Sequence, residues 1–175
     1  LFSWHAALFP TGRSGMQKII TGAWRNNTSD DPMQVVSGHM GREKVHYQAP
    51  DAALLTDEMN HFINWFNTEI NIDPVLKTAI AHLWFVTIHP FDDGNGRIAR
   101  AIADMQLARA DRTAQRFYSM SAQIQKERNA YYDILEATQK GNMDITDWLD
   151  WFLNCLHRSL KATDETLVTV LNKAR

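Results

Sequence analysis

The chain has 175 residues, 45% of them hydrophobic and 22% charged, with a formal net charge of −2 at pH 7. That length suits one domain with a substantial core, and the near-neutral balance argues against nucleic acid or an anionic membrane surface as partner. No apolar run approaches the roughly 20 residues that span a bilayer, and the single cysteine, Cys155, excludes an internal disulfide framework and fits a reducing, cytoplasmic compartment.

In chain order, Leu1 to Phe9 has apolar residues at helical spacing and stops at Pro10-Thr11-Gly12. It reads as the end of a preceding helical region, residues 1–14. With no initiating Met and no signal peptide, the start reads as cut from something longer. Gly12 to Pro32, rich in Gly, Asn and Asp, reads as loop. Met33-Gln34-Val35-Val36 and Lys44-Val45-His46-Tyr47 are β-prone and flank Gly38-His39-Met40-Gly41-Arg42, which predicts a hairpin.

From there the pattern is helical. Asp51 to Asn67 places Leu54, Leu55, Met59, Phe62, Ile63 and Phe66 near the helical period. Asp73-Pro74 is a helix start, with Asp73 as N-cap and proline at the first helical position, and the helix runs to about Ile88. Another opens at Gly96 and buries Ile98, Ala101, Ile102 and Met105. Ser121 to Lys140 reads as one helix ended by Gly141-Asn142. Ile145 to Leu160 follows, capped by Thr146, with Trp148, Leu149, Phe152 and Leu156 inward and Cys155 a buried thiol rather than a nucleophile. Residues 161–175 form a helical tail. The fold class is all-α with one small β-hairpin.

Chemistry concentrates in Ile88-His89-Pro90-Phe91-Asp92-Asp93-Gly94-Asn95-Gly96-Arg97-Ile98-Ala99-Arg100, a helix–loop–helix junction. The first N–H groups of the second helix lack internal partners, and its dipole makes that end positive. Gly94 and Gly96 let a bulky anion approach the backbone closely. Arg97 and Arg100, three apart, share one face. Two guanidiniums at a helix N-terminus suit a di- or triphosphate. A divalent cation such as Mg²⁺, held by one or two carboxylates plus phosphate oxygens, reconciles Asp92 and Asp93 with an anion. A neutral His89 at the loop entrance can take a proton from a nucleophile.

His89 to Arg100 resembles, without departure, the motif His-x-Phe-x-Asp/Glu-Gly-Asn-Gly-Arg-x-x-Arg of the Fic family. Gly22-Ala23-Trp24-Arg25, the Val35–Pro50 region, His82 and Tyr131-Tyr132 are also family-like, so the resemblance covers roughly residues 15–160. It implies a helical catalytic domain that transfers AMP from ATP to a hydroxyl side chain of a target protein. His89 is then the general base and Phe91 the buried anchor of the loop. Asp93 is the Mg²⁺ ligand, Gly94, Asn95 and Gly96 form the anion cradle, and Arg97 and Arg100 bind the phosphate chain. Asp92 sits at a variable position without a role. The hairpin, with Val35, Val36 and His46, is the flap that holds a target segment by strand addition. As chemical groups His39, His46 and His82 read as structural; Tyr131 or Tyr132 is open to an adenosine pocket, though an aromatic pair on an amphipathic helix more often belongs to the core.

Gly96 argues for nucleotidyl transfer, since the phosphate-transferring branch of the family has Lys there. None of the six glutamates is followed by Gly or Asn, so the family's inhibitory motif, whose Glu pairs with the second arginine, here Arg100, is absent from these residues. The start of the chain resembles relatives with an extra N-terminal region carrying that helix, which is expected upstream. Two other functions stay open: removal of AMP by the full-length protein, and a catalytically silent peptide-binding module. A homodimer is equally open, as is a nucleoside triphosphate other than ATP.

Overall fold

The computed structural model describes residues 1–39, 41–113 and 116–173. Met40 in the expected hairpin loop, and Ala174 and Arg175 at the end of the expected tail, lie outside the described residues. The elements are α1 (Phe2–Leu8), β1 (Arg13–Ser14), β2 (Gln17–Lys18), β3 (Gln34–Ser37), β4 (Lys44–Gln48), a 3₁₀ turn (Ala52–Leu54), α2 (Leu55–Thr68), α3 (Pro74–Ile88), α4 (Asn95–Asp111), α5 (Met120–Lys126), α6 (Arg128–Lys140) and α7 (Thr146–Lys173). The chain is mainly helical, with two small antiparallel hairpins among the described residues rather than one. The second, β1–β2, pairs Arg13 with Lys18 and Ser14 with Gln17 inside the stretch expected to be loop.

α3 is the axis of the core. The Asp73 carboxylate accepts from the N–H groups of Val75 (2.8 Å) and Leu76 (3.2 Å), and Pro74 opens the helix, as the sequence predicted. Most of its length is buried, including Ala79, Ala81, His82, Leu83, Phe85, Val86 and Ile88. Ala79 and Ala81 let neighbouring elements close in. α3 packs most extensively on α4, then on α2 and α7. The core is continuous from Phe62 and Phe66 of α2 through Phe85 and Phe91 to Trp148 and Phe152 of α7. The Trp148 indole donates to the Ala79 carbonyl at 2.9 Å, so this large ring is satisfied inside the core. Cys155 is fully buried, and burial pushes its thiol up to about 12, which makes it inert at neutral pH.

Three boundaries differ from the expectation. Ser121 to Lys140 is two helices, broken at Glu127. The Glu127 N–H closes α5 on the carbonyls of Gln123 and Ile124, and its carboxylate takes both the Nε and a terminal nitrogen of Arg158 on α7. The break falls in a sequence of good helix formers, and the same carboxylate makes a contact 31 residues away. Ile145 to Leu160 and the tail are one helix through Lys173, since neither Gly nor Pro occurs between Thr146 and Lys173. Thr146 does not cap it: the Asp144 carboxylate accepts from the Thr146 N–H (2.9 Å) and hydroxyl (2.6 Å). Finally, α4 opens one residue early, at Asn95, with Gly94 as N-cap at φ +81°. No described helix is long and apolar enough to cross a membrane.

The main hairpin runs in the expected segment. Val35 pairs with Tyr47, Val36 with Val45 and Ser37 with Lys44, with a bulge between Val35 and Val36. It docks sideways on α6, where the Glu136 carboxylate meets His46 Nδ1 and Lys44, and on the end of α3, where the Tyr47 hydroxyl donates to the Thr87 carbonyl at 2.7 Å.

Candidate active site

α3 ends at His89, which adopts the left-handed conformation, φ 52° and ψ 57°. That turn brings its own ring back over the helix end, with Nδ1 3.2 Å from the Val86 carbonyl. A carbonyl can only accept, so Nδ1 bears the hydrogen and Nε2 keeps the lone pair. Burial holds the imidazole down at about 4, with the nearby Arg25 charge adding to it and the Val86 and Asp93 contacts opposing it. At neutral pH His89 is therefore a neutral proton acceptor of fixed tautomer.

Phe91 is fully buried and anchors the loop. It lies against Trp24 (5.0 Å between ring centroids), Phe85 and Phe2, and stacks on His5. Asn95 closes the loop around it. Its side-chain oxygen accepts from the Phe91 N–H (3.0 Å) and its amide donates to the Phe91 carbonyl (2.8 Å). The Asn95 side chain is thus a loop brace, and only its backbone N–H faces the role in an anion cradle. Gly94, at positive φ, is a position where any side chain is strained, and a Cβ there would stand 2.8 Å from the Phe9 ring. Gly96 has room: a Cβ would meet only an Arg100 nitrogen at 3.6 Å.

The Asp93 carboxylate accepts from the Ser14 hydroxyl and from the Gly94 N–H, and stands 3.8 Å from Arg97. It is about half exposed, at 47% of its side-chain surface. Arg97 lies over the Phe9 ring at 4.5 Å. Arg100 makes no ion pair among the described residues. Its nitrogen sits beside Gly96, and its charge is felt at His82 and Tyr131. The loop thus brings His89, Asp93, Gly96, Arg97 and Arg100 to one end of the α3–α4 pair.

No cluster of three or more His, Cys, Asp or Glu that could enclose a metal occurs among the described residues. A single half-exposed carboxylate at a helix N-terminus still suits Mg²⁺, which takes one or two carboxylates and fills its shell with phosphate oxygens and water.

Four contributors escaped the sequence reading. His5 accepts from the Gly22 N–H at Nδ1 (3.1 Å) and donates from Nε2 to the Asp93 carbonyl (3.1 Å). Asp92, expected to have no role, accepts from the Ile20 N–H at 2.8 Å and fastens the β1–β2 segment to the loop. Ser14 binds Asp93, and Arg25 lies buried beneath His89, donating to its carbonyl at 2.7 Å. Gly22-Ala23-Trp24-Arg25 was the one signal available for Arg25; for His5 a lone histidine on a short amphipathic helix gives none.

Of the remaining residues, His82 is fully buried with Nε2 2.9 Å from the Tyr131 hydroxyl. Tyr131 is 3% exposed and Tyr132 48%, so Tyr132 is the member of the pair open to solvent. His46 bridges Ser37 on β3 (2.6 Å) and Glu136 on α6. Val36 is half exposed on β3, and Val35 is partly covered.

A family model described as Fic/DOC family matches residues 1–107, which contain the whole loop. The chain is 33% identical over 135 residues to the protein adenylyltransferase Fic of Aedes aegypti, covering 74% of this chain and 25% of that protein. It is 35% identical over 112 residues to the protein adenylyltransferase Fic of Drosophila yakuba, covering 63% of this chain and 20% of that one. The chain thus spans about a quarter of the length of the curated relatives it matches. Among solved structures, a Fic family protein from Desulfovibrio desulfuricans G20 superposes with a TM-score of 0.72 at 23% identity, over 94% of this chain and 46% of that one, a likeness of fold.

Proposed function

This chain belongs to the Fic/DOC family, and from that premise we propose that it is a protein adenylyltransferase, moving AMP from ATP to a Ser, Thr or Tyr hydroxyl of a target protein. The observation that carries the reading is His89, a base held neutral and in one tautomer at the mouth of a helix N-terminus flanked by two arginines.

The chemistry follows from those groups. His89 Nε2 takes the proton of the target hydroxyl as its oxygen attacks the α-phosphorus. The bond from that phosphorus to the bridging oxygen breaks, and the electron pair leaves with pyrophosphate. The backbone N–H groups of Asn95 and Gly96 and the guanidiniums of Arg97 and Arg100 bind the phosphate oxygens where charge develops. The Gly94 N–H is engaged by Asp93, so the cradle begins one residue later. Asp93 would hold Mg²⁺, which supplies charge neutralisation on the phosphates. The open space beside Gly96 supports nucleotidyl rather than phosphate transfer. The β3–β4 hairpin is the flap, with Val35, Val36 and His46 next to the target segment; its strand edges offer hydrogen bonds to any sequence.

Regulation is part of the proposal. Arg100, without an ion-pair partner among the described residues, is the point where the Glu of an inhibitory helix outside these residues would act.

The test is incubation with Mg²⁺, α-labelled ATP and a protein lysate. Label in protein bands that disappears with His89→Ala is the expected result. Absence of label with the wild type, or label that survives His89→Ala, refutes the reading. Peptide fragmentation by mass spectrometry of a labelled band then gives the added nucleotide mass and the side chain that carries it.

A further inference from the structure

The last carbonyls of α3 are capped from three directions. The Phe85 carbonyl accepts from the His89 N–H (3.1 Å), and the Val86 carbonyl accepts from the His89 ring. The Thr87 carbonyl accepts from Tyr47 of the hairpin. The last two, Ile88 and His89, both accept from Arg25, at 3.4 and 2.7 Å. The same guanidinium donates to the Pro50 carbonyl at 2.6 Å, two residues past the end of β4, and to the Asn27 side chain. The Arg25 N–H donates to the Pro90 carbonyl at 3.0 Å. At 2% exposure, Arg25 forms no ion pair among the described residues and is satisfied almost wholly by backbone.

We infer that Arg25 is a positioning residue for AMP transfer: its guanidinium locks His89 in the left-handed conformation and fixes the root of the hairpin at a set distance from that base. The inference rests on the function proposed above.

Three features argue for it. A non-glycine residue resists φ 52° unless its surroundings over-determine it, and the Nε–carbonyl bond grips the strained residue itself. That strain is what returns the ring to Val86 and leaves Nε2 as the acceptor. The single fork also ties two elements that must agree during reaction. His89 takes the proton, while the strand that leads into Pro50 belongs to the element proposed to hold the hydroxyl. Lastly, the site demands arginine. A planar fork reaches carbonyls of Pro50, Ile88 and His89 lying in different directions, whereas an ammonium is a point charge on a flexible stem. Cationic charge also complements the negative end of α3.

The experiment compares the wild type with Arg25→Lys on the full 175-residue chain. Three quantities are read: the His89 ring ¹⁵N signals, which report the tautomer; amide exchange in residues 34–50; and AMP transfer from α-labelled ATP to a lysate alongside calorimetric ATP·Mg²⁺ affinity. In Arg25→Lys the His89 signals become those of a mixed tautomer, and exchange at the hairpin root speeds up. Transfer falls roughly 100-fold, the scale of an ångström misplacement, while ATP affinity stays within about twofold. Wild-type ring signals with transfer reduced less than about threefold overturn the inference, and so does ATP affinity lost in step with transfer. If Arg25→Lys does not fold, Asn27→Ala, which keeps the guanidinium but removes one of its anchors, must shift the ring signals and the exchange in the same direction. Wild-type values there overturn it as well. A wild type that transfers no AMP defeats the proposed activity alone, since the ring signals and exchange judge the clamp without it.

Discussion

The imidazole of His5 lies flat on the ring of Phe91, centroids 4.1 Å apart and planes 5° from parallel. Two residues 86 positions apart thus form one stack, and the short α1 becomes a wall of the loop that bears His89. Phe91→Ala removes a fully buried ring and is expected to cost about 3–5 kcal/mol in unfolding free energy. A double-mutant cycle with His5→Ala should return a coupling of about 0.5–1.5 kcal/mol. Additive single effects in a urea-denaturation series would show that the stack contributes only area.

Acid should weaken this chain through the histidines that desolvation holds below their ordinary range, His5, His82 and His89. Burial lowers His82 to about 3 and His89 to about 4, against about 6.5 in the unfolded chain. Between those limits the unfolded state binds more protons, so stability falls as pH drops from about 6.5 towards 4 and is level above. Urea midpoints measured from pH 7.5 to 4.5 should trace that slope, and it should flatten in His82→Gln. A midpoint indifferent to pH across this window would contradict the burial of both rings.

The same burial of His89 sets the acid limit of catalysis. With the imidazole neutral down to about pH 4, kcat/KM for transfer should hold at pH 5.5 and decline only on approach to that value. An acid limb centred near pH 6.5 would mean that the ring is solvated in the free enzyme.

Gly94 and Gly96 should part company on substitution. Gly94→Ala forces a side chain into positive φ and against the Phe9 ring at 2.8 Å, a loss of about 1–2 kcal/mol from conformation alone, before the clash. Phe9→Ala in the same chain should recover the steric part. Gly96→Ala meets only the end of Arg100 at 3.6 Å, so its melting temperature should stay near wild type while its affinity for ATP falls. Equal thermal losses for the two variants would count against this placement of the loop.

Glu136 fastens the hairpin to α6. Its carboxylate is held down to about 2 by hydrogen bonds from His46, then Lys140, then Lys44. Glu136→Ala should leave the core and its unfolding midpoint nearly unchanged, since exposed ion pairs are screened by water and contribute little to stability. Amide exchange in residues 34–48 should rise at least severalfold, because little else ties the hairpin to α6. Exchange equal to wild type would place the restraint elsewhere, at Tyr47 and Thr87.

Much of this architecture was written locally. Asp73-Pro74 marks a helix start because a carboxylate can cap free N–H groups and proline lacks one. The β-branched runs around Val35 and Val45 mark the hairpin, and the spacing from His89 to Arg100 marks a helix N-terminus shaped for phosphate. Each is a rule about residues a few positions apart, so the sequence by itself determined the helical class, the hairpin and the identity of the loop. What the tertiary structure decided are relations between distant residues that no local pattern encodes. Glu127 closes α5 within a stretch of good helix formers and meets Arg158 across 31 positions. Asp92 acquires a partner in Ile20, and Asn95 turns its amide inward to Phe91 rather than outward to an anion. The strain at His89 is held by Arg25 from 64 positions away. A buried donor takes whichever acceptor the packed chain brings within about 3 Å, and only folding brings those acceptors there.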